Sequence, residues 1–252
     1  MASLESIRKS LNTANELHSV VKTMKGIAAA NIRQFERAVE ALGDYSRALE
    51  LGLQVLLRTR SVVSLAGEED LAGLTPGLIV FGSDQGMAGR FNQQIVDYLN
   101  QWLPRLAIDR ERMRTAVVGG RVAPLLEAEG IAVGEQVSPA SSLEGIGALV
   151  RRLILRIDAW REEGVERVVL FHNESRGGAS YAAVHRQLLP LDPEWLGELR
   201  ARPWPSNRLP MHSLPGREML AALLREWVYI GLYRASAESL ASENASRLAS
   251  MQ

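Results

Sequence analysis

Gly82, Gly86 and Gly89 stand directly after a short apolar run and ahead of an amphipathic one. A glycine-rich turn leading from a strand into a helix is where backbone N–H groups and a helix N-terminus can hold a phosphate. Asp84 adds a carboxylate that could hold a cation or cap the turn. The spacing is Gly-x-x-x-Gly-x-x-Gly, however, not the dinucleotide fingerprint, and no Gly-Lys-Ser/Thr follows, so the Walker lysine is missing. Glu243 and Arg247 form a second polar pair, four apart on a helical pattern. They suit recognition of a partner, or simply each other, for a few tenths of a kcal/mol. The four histidines (His18, His172, His185, His212) lack metal-ligand spacing, and none pairs with a nearby serine or cysteine as a catalytic triad would. His172 ends an apolar run, where a hydrogen-bonded structural role is expected. The chain has no cysteine, hence no disulfide and no thiolate metal site.

These groups hang on three kinds of element. Residues 3–60 contain no proline, and apolar residues recur there every three or four positions: Leu4, Ile7, Leu11, Ala14, Leu17, Val21, Met24, Ala28, Ile32, Phe35, Val39. That stripe is the seam of a coiled coil, on a helix roughly 85 Å long. Gly67-Glu-Glu-Asp70 and Thr75-Pro-Gly77 read as a connector. Between 75 and 190, apolar runs at 78–81, 115–118, 131–137 and 167–172 alternate with amphipathic helices, and 179–189 returns after Gly177-Gly178. That alternation indicates an open α/β domain, whose strand order is not legible. Residues 189–215 read as proline-rich loop, with Arg202-Pro-Trp-Pro205 an exposed connector. From Pro215 a second long helix runs to the end of the chain. Its first half carries large residues (Leu224, Trp227, Tyr229, Tyr233), expected to cover the α/β domain. Its second half, 235–250, is mostly alanine, serine and short polar residues. A matching small-residue window, Gly26-Ile-Ala-Ala-Ala30, predicts that the two terminal helices pack closely antiparallel, with Ala29 roughly opposite Glu238. The predicted divisions are a helix at 1–66, an α/β domain at 75–190, a connector at 191–215 and a helix at 216–252.

Bulk properties narrow the classes of function. Net charge is zero, which predicts no nucleic-acid partner. No run of eighteen apolar residues is present, so no direct membrane insertion is expected, and a tie to a membrane would go through another protein. All three lysines, Lys9, Lys22 and Lys25, lie in the first helix, and residues 1–60 hold nine basic against six acidic side chains. The excess fits either a solvated helix face or a basic rod meeting an acidic sleeve.

Three stretches together resemble the gamma subunit of the F-type rotary ATP synthase. Lys22-Thr-Met-Lys-Gly-Ile-Ala-Ala-Ala-Asn-Ile-Arg33 is similar to the family's Lys-Ala-Met-x-x-Val-Ala-Ala-x-Lys-x-Arg run. Ser83-Asp-Gln-Gly-Met-Ala-Gly-Arg-Phe-Asn92 resembles its Ser-Asp-Arg-Gly-Leu-Cys-Gly-x-Phe-Asn. Tyr233 to Met251 is similar to its Glu-Ser-x-Ala-Ser-Glu-x-x-Ala-Arg-Met-x-Ala-Met helix. The resemblance implies an antiparallel coiled coil of the N- and C-terminal helices flanking a Rossmann-like α/β domain. It implies a shaft inside a hexamer of alpha and beta subunits, and a foot resting with the epsilon subunit on the c-ring. It also implies no cofactor and no bond chemistry, and a place at the cytoplasmic face of the bacterial plasma membrane. Carried over by position, Lys22, Met24 and Lys25, with Glu238, Ser242, Glu243 and Arg247, become subunit-contact residues. Ser83, Asp84, Gly86, Gly89, Phe91 and Asn92 become the foot motif.

Gln85, Ala88 and Gly26 depart from the family's residues and suggest a divergent branch. In the family the last helix runs further than Gln252. The alignment of small windows puts Gln252 near Asn15, leaving Leu4, Ile7 and Leu11 without an intrachain partner, as in a shortened chain or one covered by the head. The rival readings are a nucleotide-binding enzyme, resting on the glycine turn, and a coiled-coil scaffold, which leaves Ser83–Asn92 unexplained.

Overall fold

The computed structural model describes residues 4–58, 74–106, 110–177, 180–211 and 213–251. The connector at 67–70, Gly178, Ala179, His212 and Gln252 lie outside them, as does the side chain of Leu4. Helix α1 (Leu4–Arg58) is unbroken for 55 residues, as the absence of proline allows.

Five strands form one sheet: β1 (Pro76–Phe81), β2 (Arg114–Val118), β3 (Glu135–Val137), β4 (Arg167–Gly177) and β5 (Ser180–Leu189). Their order is β3-β2-β1-β4-β5, with β5 alone antiparallel. Helices α2 (Phe91–Trp102), α3 (Ala123–Ala128) and α4 (Leu143–Glu162) connect the parallel strands. Alternation along β1 decides what each face meets. Leu78 and Val80 join Ile95, Leu99 and Leu126 of α2 and α3, whereas Ile79 and Phe81 join Ile146, Val150 and Leu153 of α4. With both faces covered, β1 must be apolar throughout. The chain reverses its direction of travel across the sheet between β1 and β4, so a crevice opens beyond their carboxyl ends. Only 135–137 of the expected 131–137 strand joins the ladder. The Ile131 N–H instead closes the end of α3 on the Leu126 carbonyl.

The proline-rich connector contains a helix, α5 (Pro193–Ala201), that the loop reading overlooked. Asp192 caps it, accepting from the Glu194 N–H at 2.9 Å, and Pro193 fits the first turn, where no donor is needed. Leu196 and Leu199 of α5 pack with Leu53 of α1.

The last helix, α6 (Gly216–Ser250), covers the α/β domain with both of its halves. Trp227, Tyr229 and Tyr233 pack on the core of the α/β domain as expected, Leu220, Leu223 and Leu224 lie with Leu53 of α1 and the leucines of α5, and every residue from Ala235 to Arg247 is buried. The small half is the one pressed onto the sheet. The pairing register also differs from the alignment of small windows. Arg234 bonds Ser46, Tyr45 bonds Glu226, and Leu223 fills the space beside Gly52. The helices are slid by about two turns relative to the expected register, and Ala29 is exposed rather than facing Glu238. Contacts between α6 and the sheet, described next, set this register.

Candidate functional site

The β1–α2 turn is built to hold itself rather than a ligand. Ser83 is fully buried, and its N–H donates to Asn92 Oδ1 at 2.9 Å, while Asn92 Nδ2 returns a bond to Ser83 Oγ at 2.9 Å. This reciprocal pair staples the turn to the first residues of α2. The Asp84 carboxylate accepts the Gly120 N–H at 2.5 Å, capping the neighbouring turn after β2. At Gly119 (φ +103) a Cβ would lie 2.6 Å from the Gly82 carbonyl carbon, so the two turns touch backbone to backbone. Phe91 is buried against Tyr181, ring centroids 5.8 Å apart, and its carbonyl accepts from Asn173 Nδ2 at 3.1 Å.

The crevice beyond β1 and β4 is occupied by α6. Glu238 Oε2 lies 2.7 Å from Nε2 of His172, which is fully buried. Arg186 approaches the same carboxylate at 3.6 Å and Glu174 at 3.6 Å. Ser242 Oγ donates to the Asn173 carbonyl at 3.0 Å. Ser246 Oγ donates to the Ala88 carbonyl at 2.6 Å and lies 2.9 Å from the Tyr181 hydroxyl. Ser250 Oγ donates to the Met87 carbonyl. Gly89 (φ +52) lets this helix come close: a Cβ there would stand 3.3 Å from Ser246 Oγ. The groups that the turn presents to the crevice are therefore carbonyls, which repel a phosphate, and the helix that bonds them fills the space. The nucleotide reading of the glycine turn falls on this geometry.

Between α1, α6, the β1–α2 turn and the β3–α4 loop lies a cleft of about 410 Å³, lined among others by Met24, Ala28, Phe35, Asp84, Glu243 and Arg247. The structure thus brings Met24 together with Glu243 and Arg247. Glu243 accepts from Arg247 Nη2 at 2.5 Å, the mutual pairing that the four-residue spacing allowed. Both are nearly buried, and burial pushes the Glu243 carboxyl above its ordinary value, with Arg247 opposing the rise and Asp84 adding to it. Lys22 is exposed and Lys25 half-buried, near Met24 along the helix. Glu238 and Ser242 stand apart from the cleft, facing the sheet. Gly86 lies on the turn with no close packing requirement beyond Arg121. Further toward the amino end of α1, Ile7, Leu11, Leu17 and Val20 are each more than half exposed.

Sequence reasoning assigned His172 a hydrogen bond without its partner, and it singled out Glu238 and Ser242 as subunit contacts without seeing that they form, with Ser246 and Ser250, one row every four positions that faces the foot. That spacing is itself the signal, because one face of a helix repeats at it.

Comparison with known proteins agrees with this architecture. The family model described as ATP synthase matches residues 3–252. The ATP synthase gamma chains of Anaeromyxobacter sp. strain K and Anaeromyxobacter dehalogenans strain 2CP-1 are each 28% identical over 264 residues, covering 100% of this chain and 86% of the relative. A chain of the Tetrahymena thermophila mitochondrial ATP synthase structure, central stalk and c-ring, shares the fold with a TM-score of 0.64 at 18% identity, covering 92% of this chain and 97% of that one. A chain of the Euglena gracilis mitochondrial ATP synthase rotor does so with a TM-score of 0.57 at 18% identity, covering 97% and 87%. With a family match over essentially its whole length, this chain belongs to the ATP synthase gamma-chain family, a non-catalytic stalk subunit.

Proposed function

We infer that this chain is the central shaft and foot of a rotary ATP synthase, coupling rotation of a c-ring to the catalytic cycle of an alpha/beta hexamer. The observation that carries the reading is the joining of the two long helices to one compact α/β domain, with α6 packed along α1 and buried in the sheet's crevice. A single body results, long enough to reach into a hexamer and broad enough at its base to rest on a ring. The division into 1–66, 75–190, 191–215 and 216–252 follows that use.

Members of this family serve as peripheral subunits of a membrane-bound complex. Among the described residues no helix is long and apolar enough to cross a membrane, so the tie to the bilayer would pass through partner subunits. We place the complex at the cytoplasmic face of a bacterial plasma membrane, with an epsilon subunit and the c-ring beneath the foot, translocating protons or sodium ions. Met24, with Lys22 and Lys25 beside it and Glu243 and Arg247 across the cleft, forms the contact with the head. A flexible thioether slides where a rigidly bonded side chain would trap one angle. Ser83, Asp84, Gly86, Gly89, Phe91 and Asn92 serve as the seat of α6.

The test is co-purification of the chain with a hexameric ATPase, followed by a crosslink from Met24→Cys to a catalytic subunit. Multi-site turnover stops when the crosslink forms. Full turnover through a verified crosslink refutes the reading.

A further inference from the structure

We propose that Glu238, Ser242, Ser246 and Ser250 form the joint that transmits torque between foot and shaft, a role that rests on the central-stalk reading above. The four residues stand four apart. Each step turns about 40° past a full circle and rises about 6 Å, so they make one shallow stripe roughly 18 Å long on α6. All four bond to the α/β domain, and their partners come from separate segments: His172 and Asn173 on β4, Met87 and Ala88 on the β1–α2 turn, and Tyr181 on β5. A helix held at points along its length by several independent segments resists both rotation about its axis and sliding along it.

The surroundings make this stripe necessary. Apart from Leu240, the buried apolar residues of 235–250 are the alanines Ala235, Ala237, Ala241 and Ala245. Their side chains form low ridges that pack closely but interlock weakly, so packing alone offers little resistance to turning. Hydrogen bonds are directional and fail when the angle changes. Nearby polar residues do not share the role. Ser236 Oγ donates to the Leu232 carbonyl at 2.7 Å and Asn244 Nδ2 to the Leu240 carbonyl at 2.7 Å, each within α6 itself. Among the described residues of this half, Glu238, Ser242 and Ser246 direct their hydrogen bonds to the foot, and Ser250 divides its own between the Met87 carbonyl and the Arg247 carbonyl of α6; the carbonyls of Asn173 and Ala88 would lose their partners on slippage.

The experiment compares ions pumped per ATP hydrolysed in the assembled ATPase carrying Ser242→Ala with Ser246→Ala, and in one carrying Ser236→Ala. Ser236→Ala removes a buried hydroxyl of the same kind without touching the joint. The double variant is expected to lose about tenfold in this ratio, and Ser236→Ala to keep the unmodified value. A second pair, Gly89→Cys with Ser246→Cys, exploits the absence of native cysteine and the 3.3 Å between a Cβ at 89 and the atom at Ser246 Oγ. Reduced, this pair weakens the joint and lowers the ratio. Oxidised, it locks foot to shaft and restores the ratio, because the joint does not move during turnover. An unchanged ratio in the Ser242/Ser246 double variant, or a disulfide that halts turnover, overturns the proposal. If that double variant does not assemble, the cysteine pair decides alone by the same criterion. An unmodified chain that joins no ion-pumping ATPase refutes the central-stalk reading. Normal pumping in the unmodified chain with insensitive variants refutes only the joint.

Discussion

Replacing His172 by leucine tests how the foot holds α6. His172 is fully buried, its Nε2 lies 2.7 Å from the Glu238 carboxylate, and Glu238 is 6% exposed. Leucine fills much of the space but supplies no polar partner. The carboxylate then keeps only Arg186, 3.6 Å away and partly drawn toward Glu174. Breaking a buried ion pair by removing one partner typically destabilises by about 3–5 kcal/mol, and stranding a buried hydrogen-bonded group by about 1–3 kcal/mol. The remaining arginine places the expected loss where the two ranges meet, about 3 kcal/mol, or on the order of a hundredfold in the unfolding equilibrium. Urea titration of the full chain, followed by tryptophan fluorescence, measures it. Adding Glu238→Leu removes the stranded charge, and the double variant is expected to recover about 2 kcal/mol. Arg186 loses little in that variant, since its side chain is 39% exposed and keeps Glu174 within reach. A single-variant loss below about 1 kcal/mol, or strictly additive losses in the double variant, refutes the account of this pair as a buried clamp.

Other substitutions separate local backbone demands from electrostatics. Gly119→Ala forces a Cβ against the Gly82 backbone at a positive φ, and a loss of more than about 3 kcal/mol is expected in the same titration. Gly26→Ala, where a Cβ meets nothing within 4 Å on an exposed stretch of α1, is expected to stabilise that helix by about 1 kcal/mol, read from the circular dichroism melt of the full chain. Burial raises the Glu243 carboxyl above its ordinary 4.5, so the folded chain binds this proton more tightly than the unfolded chain. Its contribution is therefore fully present below pH 4.5 and is lost as pH rises through the raised value; Glu243→Gln is expected to flatten that part of the stability-against-pH curve.

What was legible in the sequence is what hydrophobic contrast can encode. An unbroken three/four stripe marked the helix that the described residues show over Leu4–Arg58, and the apolar runs at 78–81, 115–118 and 167–172 gave the three inner strands. The short helix α5 was hidden because nearby prolines suggested a loop, although Asp192-Pro193 is itself a helix start. The register of α6 was hidden for a different reason. Alanine and serine windows offer no contrast in size, so several alignments against Gly26–Ala30 look alike. The true register is set by serine hydroxyls reaching carbonyls of Met87, Ala88 and Asn173, and a carbonyl carries no mark in the sequence. For the same reason the shared cleft of Met24, Glu243 and Arg247 follows from the fold and not from spacing along the chain.

The glycine turn that suggested a phosphate site and the serine row that went unread are two halves of one feature. An open α/β sheet leaves a crevice where the strand order reverses, and its chemistry depends on which backbone groups face it. N–H groups there attract anions; carbonyls attract donors. Here the turn at Met87 and Ala88 and the strand at Asn173 offer carbonyls, and α6 answers with hydroxyls. The positive φ at Gly89 serves that approach, keeping the turn free of a side chain beside Ser246. The geometry that would seat a cofactor in another α/β protein therefore seats a helix in this one.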